Sequence, residues 1–445
     1  MSTRTERLHD SLRQMIKDKK CFQLTEVHWT VSIADCPLLF YASHLVLNYK
    51  TYDENKGSIH MDKRVYLLTV ISFVCGMVEL IIGGILDLIA ADFNISIGQA
   101  GLLITIFSLM FALSAPVLLV LTSKYERKKL TLVSLFVFFI ANLIAIFSIN
   151  YTMLFISRII SAASSSLLIV LCITMASNIV SAEYRGRALG IVNMGVSGSI
   201  VLGLPIGLSL GEAFGWRAPF TLIAILTIFS MIGVYFLMGN VAPKSEIPLK
   251  KQLKALKDRK ITFALLTTLV FLAGHTTLYA YLKPYLQTTM NLDANWISIV
   301  YFLFGAAAVG GGAVGGTFAD RIGTKQTIYG VILTLIGVML IIPFAVSFLP
   351  VFLVILIIWG MMSWAISPPL QSYLIEIAPD TSDILISLNN SALHLGVALG
   401  SLTGGIVLEQ LAIEFNPFAG AMIVALSFLT AFLAIAGQKE TKRPF

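Results

Sequence analysis

The sequence predicts an all-α membrane protein with twelve transmembrane helices in two six-helix bundles and both termini cytoplasmic. Three observations carry this. Of the 445 residues, 57% are hydrophobic and only 12% charged, about half the charged share of a soluble domain, and the mean hydropathy is +0.86. Apolar runs longer than ~18 residues, enough to cross the hydrocarbon layer, recur from Val65 to Ala436. Finally, a charged turn between two apolar segments, Gly316-Thr-Phe-Ala-Asp320-Arg321-Ile-Gly323-Thr-Lys325, has a worn copy about 197 positions earlier, Leu119-Val-Leu-Thr-Ser123-Lys124-Tyr-Glu126-Arg127-Lys128. One turn repeated at the same place in two halves marks an internally duplicated membrane protein.

The spans, each bounded by Gly, Pro, Asn or charge, read as 65–90, 97–121, 129–149, 152–179, 188–211, 217–239, 261–286, 295–319, 326–347, 350–375, 383–407 and 417–437. Roughly 18 Lys and Arg fall in the connections on one side, against two (Arg217, Lys283) on the other. The rich side is therefore expected to be cytoplasmic, and this bias accounts for the net charge of +7 without a nucleic-acid partner. The expected domains are a bundle at 61–239, a basic linker at 240–260, a second bundle at 261–438 and a tail at 439–445. Within the linker, KKQLKALKDRK reads as a short amphipathic helix on the anionic leaflet. Residues 1–60 carry mixed charge and four of the six histidines. They read as an N-terminal extension, either flexible or the product of a mis-assigned start, with Met61 as the true one.

Several chemistries find no support. The four cysteines, Cys21, Cys36, Cys75 and Cys172, have no CxxC or metal spacing and read as free thiols. Gly310-Gly311-Gly312-Ala-Val-Gly315 satisfies GxGxxG, but it lies inside span eight with no strand before it, so helix packing explains it better than a dinucleotide. No GxxxxGK[ST] loop, nucleophile elbow or HExxH occurs, so neither ATP drive nor an enzyme is expected, and no cofactor or metal.

The chain resembles the major facilitator superfamily over about 61–438, in particular its twelve-helix drug:proton antiporter branch. The G-x-x-x-D-R-x-G-x-K loop between spans eight and nine is matched in full at Gly316, Asp320, Arg321, Gly323 and Lys325. Further marks are Arg158, Glu183-Tyr-Arg185-Gly186-Arg187-Ala188, Gly203-Leu-Pro205-Ile-Gly207 and Gly215-Trp216-Arg217-Ala-Pro219-Phe220. In the first-half turn, Ser123 stands where the family has Asp and Glu126 where it has Gly. A closer likeness, carried by VELIIGGIL (78–86), LAGHTTLYAYLKPYL (272–286) and WGMMSWAISPPLQSYLIEIAPDTSD (359–383), is to bacterial purine base and nucleoside efflux pumps. The resemblance implies a proton-coupled exporter working by alternating access in the cytoplasmic membrane, with a purine base, nucleoside or analogue as cargo; multidrug or sugar efflux is the alternative. The expected partners are a small-molecule substrate, protons and the lipid bilayer, and the expected state is a monomer.

Glu79 lies about 21 Å along span one. An ionisable group there costs several kcal/mol unless protonated, paired or in a wet cavity, which suits proton coupling or a substrate hydrogen bond. Gly76 and Gly83 share its helical face and leave room for a neighbour or ligand. Asp87, about 12 Å nearer the outside, is a second expected proton-coupling acid, or a group facing water at the outer mouth. His275 stands almost at the duplicated address of Glu79, and a histidine there can carry protons or bind a heterocycle. Tyr279 and Trp364 offer ring faces, while Gln371 and Asn389 offer amides for base edges. His394 is weaker, since Asn389 and Asn390 on the same span are equally plausible pathway groups, and Tyr373 reads as an interfacial anchor. By resemblance Arg158 takes part in proton exchange, and a pairing with Asp87 is expected. The Gly316/Asp320/Arg321/Gly323 turn reads as a gate: Asp320 is expected to accept backbone amides at the next helix start and to pair across the cytoplasmic seam. Gly203, Pro205 and Gly207 are expected to allow close packing and a bend in span five.

Overall fold

Twelve helices long and apolar enough to cross a membrane stand among the residues described by the computed structural model, 61–241 and 256–436. They are α1 (Lys63–Phe93), α2 (Ile97–Leu121), α3 (Arg127–Ile146), α4 (Tyr151–Ile179), α5 (Arg185–Phe214), α6 (Ala218–Leu237), α7 (Arg259–Tyr279), α8 (Ala294–Ile322), α9 (Thr324–Ala345), α10 (Leu349–Ile377), α11 (Ile384–Gln410) and α12 (Ile413–Ile435). The extension at 1–60, with Cys21 and Cys36, lies outside the described residues. So do the tail and most of the basic linker with its amphipathic stretch.

Short polar side chains set many helix starts. Ser96 and Gln99 form a reciprocal cap on α2, and Asn150, Asp258 and Asp293 accept first-turn amides of α4, α7 and α8. Each occupies N–H groups that have no carbonyl partner within the helix.

Proline breaks two spans that read as continuous in the sequence. α7 stops at Tyr279 and a separate nine-residue helix, Leu282–Met290, follows, because Pro284 has no N–H for the carbonyl of Ala280. α10 divides at Ile366, ahead of Pro368 and Pro369. In α5 a π-helical turn at Ser199–Gly203 precedes Pro205. Beyond it Gly207 lies so close to α1 that a Cβ would stand 2.5 Å from Ile81. α1 itself kinks at Ile85 (φ −127°, ψ 16°), between Glu79 and Asp87.

Helices α1–α6 pack chiefly on one another, as do α7–α12, and the two sets meet where α2 touches α11 and α5 touches α8. Lipid supplies no hydrophobic drive for helix association, so close backbone approach must do the work. On α11, Gly396, Gly400 and Gly404 lie on the carbonyls of Leu269, Ala273 and Thr277 of α7, where a Cβ would fall 2.4, 2.2 and 2.3 Å away. Gly311 and Gly315 of α8 meet the carbonyls of Met361 and Ala365 in the same way. The outer faces are apolar, with Phe229 64% and Phe344 73% exposed, as lipid-facing helices require. Cys75 and Cys172 are free and buried.

Candidate functional site: a cavity between the helix sets

The face that carries few basic residues is closed by ion pairs. Arg217 meets Asp92 at 2.9 Å, and the Lys283 ammonium lies 2.7 Å from Asp87 Oδ1 and 2.6 Å from Glu212 Oε1. Lys283 has no solvent exposure, and a buried ammonium is tolerated only when paired. It projects from the short helix after α7 toward acids on α1 and α5, so it ties the two helix sets together. Beside it the Tyr281 hydroxyl donates to the carbonyl of Ser401 at 2.8 Å, and the Ser401 hydroxyl donates to that of Gly101 at 3.1 Å. Gly101 and Gly405 leave room for the Tyr281 ring, since a Cβ on either would overlap its hydroxyl. Ser96 closes the same end by a hydrogen bond to Glu409.

A cavity of about 420 Å³ is lined by both helix sets. Glu79, His275, Tyr279, Trp364 and Gln371 all line it, so five of the six expected substrate contacts come together. Asn389 does not. Its side-chain oxygen accepts the Thr268 hydroxyl at 2.6 Å, because its position on α11 faces α7; the next residue, Asn390, lines the cavity instead. Tyr373 is buried and donates to the carbonyl of Ala434 at 2.6 Å, so it joins α10 to α12 and is not an exposed anchor.

Glu79 faces His394 across the boundary between the sets, with Oε1 3.3 Å from Nδ1. The Phe111 ring lies over the imidazole, 4.0 Å between centroids. Gly76 and Gly83 both line the cavity; Ser199 presses on Gly76 from one side, and the Tyr301 hydroxyl reaches the Gly83 carbonyl at 3.4 Å.

Arg158 is not paired with Asp87. Its guanidinium is buried, donates from Nη1 to the carbonyl of Val78 at 2.9 Å and lies 4.1 Å from the Phe107 ring centre. Asp87 sits two turns further along α1, past the kink at Ile85, where the nearest cation is Lys283. The arginine thus holds the backbone one residue before Glu79.

His275 is enclosed. Its Nδ1 lies 3.0 Å from the indole Nε1 of Trp359 and 3.0 Å from the Ser363 hydroxyl. Tyr279 and Phe304 stack beside its ring at 5.2 and 6.0 Å.

At the basic face, Gly323 makes the turn after α8 with φ 98°. Asp320 and Arg321 are exposed, and among the described residues neither forms an ion pair. No side chain caps the start of α9, so neither contact expected of Asp320 is made in this conformation. Lys325 is half-buried, and a Cβ on Gly316 would stand 3.9 Å from Pro368. The worn copy is better tied. Glu126 accepts the amides of Lys128, Lys129 and Val241, and the Arg127 amide returns to the Val241 carbonyl at 3.1 Å. Burial pushes the Glu126 carboxyl up, but those amides outweigh it and hold it below the ordinary carboxylate range.

The structure sets His394 opposite Glu79 and brings Lys283 and Glu212 together, two residues the sequence does not single out as site groups. The signals existed: Asn390 and His394 are four apart on one face of α11, and Lys283 is a lone cation in an apolar, aromatic stretch. Among the described residues no group of three or more His, Cys, Asp or Glu could hold a metal ion.

Comparison with known proteins agrees with this architecture. The family model of the Major Facilitator Superfamily matches residues 68–401. The MFS-type transporter YbcL of Bacillus subtilis is 34% identical over 378 residues, 85% of this chain and 97% of that protein. The inner membrane transport protein YdhP of Escherichia coli is 29% identical over 375 residues, 84% and 96% of the two chains. Among solved structures, a bacterial homolog of the human lysosomal transporter Spinster, in an inward-facing and occupied conformation, superposes with a TM-score of 0.71 at 16% identity, covering 84% of this chain and 96% of its own. Twelve membrane helices, a cavity shared by two helix sets and the match over most of its length place this multi-pass membrane transporter in the Major Facilitator Superfamily.

Proposed function

We propose that this chain is a proton-coupled exporter working by alternating access, with a purine base, nucleoside or close analogue as cargo. The observation that carries the reading is the facing pair Glu79 and His394, one from each helix set, on the wall of the cavity. Protonating Glu79 removes its attraction for an imidazolium across the boundary, so a proton on this acid changes how strongly the sets are held together. With the basic face taken as cytoplasmic, the state described is inward-facing, and its outer seal is Lys283 with Asp87 and Glu212. Opening outward then separates Lys283 from those acids. The bundles at 61–239 and 261–438 are the moving bodies, joined by the basic linker at 240–260. The protein would act as a monomer.

The cargo class is supported by the walls. Tyr279, Phe304 and Trp364 offer ring faces to a planar molecule, and Gln371 and Asn390 offer amides to its edge. A cavity of about 420 Å³ lies in the range of small-molecule sites. Arg158 has a positioning role here, through the backbone of α1. The test is uptake of labelled hypoxanthine, adenine or guanosine into inverted vesicles under an imposed pH gradient. Gradient-driven uptake that is lost in Glu79→Gln is expected. Uptake indifferent to the gradient would discard proton coupling, and gradient-driven movement of dyes or sugars but not purines would replace the cargo with that of a multidrug or sugar exporter.

A further inference from the structure

We infer that Trp359 and Ser363 hold His275 in a single neutral tautomer, with its proton on Nε2, so that it serves as a fixed hydrogen-bond donor to the cargo and not as a proton carrier. The inference deepens the proposed function, resting on it only for the claim that this cavity binds cargo.

The argument begins with the indole. Trp359 Nε1 can only donate, and it lies 3.0 Å from His275 Nδ1 with hydrogen-bond geometry. Nδ1 must therefore present a lone pair. The Ser363 hydroxyl lies 3.0 Å from the same nitrogen and 2.7 Å from the Trp359 carbonyl. Its single proton can point either way, so the serine suits either role of Nδ1, and the indole, which can only donate, decides that Nδ1 accepts. A proton on Nδ1 would set N–H against N–H and strand a completely buried indole, whose lost hydrogen bond no water could replace.

Turning the ring does not escape this: the stacked neighbours keep its plane, and a half-turn about an axis in that plane would set Cδ2–H against the indole donor. Tyr279 and Phe304 stack beside it, 24° and 15° from parallel, and Trp359 meets it edge-on at 5.6 Å. With Nδ1 held, the opposite nitrogen is the one left for the cavity that His275 lines, and no protein group among the described residues takes it. The titratable groups facing this ring are few: Tyr279 on α7, Tyr301 on α8, and Glu79 and His394 across the cavity. The one acid of α12, Glu414, stands in its first turn, and the one acid of α10, Glu376, lies at its far end. His394 differs on each point. No hydrogen bond to Nδ1 fixes its tautomer, and a carboxylate stands 3.3 Å away. The two cavity histidines thereby divide the work, His394 beside the proton site and His275 as a reader.

A fixed neutral N–H seated among aromatic rings selects a planar molecule carrying an acceptor, such as a carbonyl oxygen or an unprotonated ring nitrogen. It gives nothing to a cargo whose facing edge is only a donor.

The direct test is nitrogen NMR of ¹⁵N-histidine-labelled full-length protein in lipid nanodiscs, with the His275 signals assigned by their loss in His275→Gln. One bare and one protonated ring nitrogen, unchanged from about pH 5 to 8, is expected; the histidine reference value of about 6.5 lies inside that window. Both nitrogens protonated at pH 6 would overturn the inference. Trp359→Phe removes the restraining donor and is expected to make the same signals pH-dependent; if that variant does not fold, the wild-type spectra still decide. In transport, His275→Leu is expected to raise KM about 5- to 10-fold, one hydrogen bond's worth, with kcat little altered. His275→Gln keeps an amide donor and should raise KM less, leaving the pH of half-maximal rate where it was. A displaced pH profile in His275→Gln would also overturn the proposal. Spectra as expected without purine transport would discard the cargo assignment alone.

Discussion

The two faces of the boundary between the helix sets are built on opposite plans. At the basic face the charges are many and advertised by a repeated turn, yet Asp320 and Arg321 stand exposed and make no ion pair among the described residues. At the other face the two basic residues counted in the connections are both engaged, Arg217 with Asp92 and Lys283 with Asp87 and Glu212. A charge holds a conformation when it is removed from water beside a partner, and an exposed charge contributes little. The turn at 316–325 therefore marks where two helices reverse, while the lone lysine marks where the sets are held in this state.

Substitutions can break or sharpen that contrast. Lys283→Ala leaves two partly exposed acids without their cation. After allowing for solvent at those acids, a loss of about 2–3 kcal/mol is expected, read as a lowered unfolding temperature in detergent, and the closed end should become reachable from its own side. Gly323→Ala comes next. At φ 98° a Cβ is strained and would stand 2.7 Å from Gln326 Oε1, for about 1–2 kcal/mol. Glu126→Ala removes a helix cap worth about 1 kcal/mol. Because that carboxyl is held below its ordinary value, its contribution is complete above the unfolded carboxylate range and fades as pH falls through the lowered folded value. Wild type and variant should thus converge in acid; a gap that widens in acid would contradict the cap. Asp320→Asn should change stability by less than about 0.5 kcal/mol. A large loss there would erase the contrast between the faces.

How much was legible in the sequence varied by kind of signal. The twelve spans were, because hydropathy over twenty residues is read without knowing any neighbour. Glu79, His275, Trp364 and Gln371 were legible as polar or aromatic exceptions in apolar helices, and all reach one cavity. What failed was direction around the helix. Asn389 and Asn390 differ by one position, and only the packing of α11 on α7 decides which of them faces the cavity. The pairing of Arg158 with Asp87 failed for a related reason, since a kink at Ile85 and a helix broken before Pro284 bring Lys283 to Asp87 first. Trp359 was not singled out because a tryptophan in a membrane helix is ordinary until its indole is found on His275.

The two thiols buried in α1 and α4 carry a practical consequence. Neither offers surface to a water-soluble alkylating reagent in this conformation, so neither adds to the labelling background of this state. Single reporter cysteines placed along the walls of the vestibule would then be labelled in proportion to the time each spends open to either compartment.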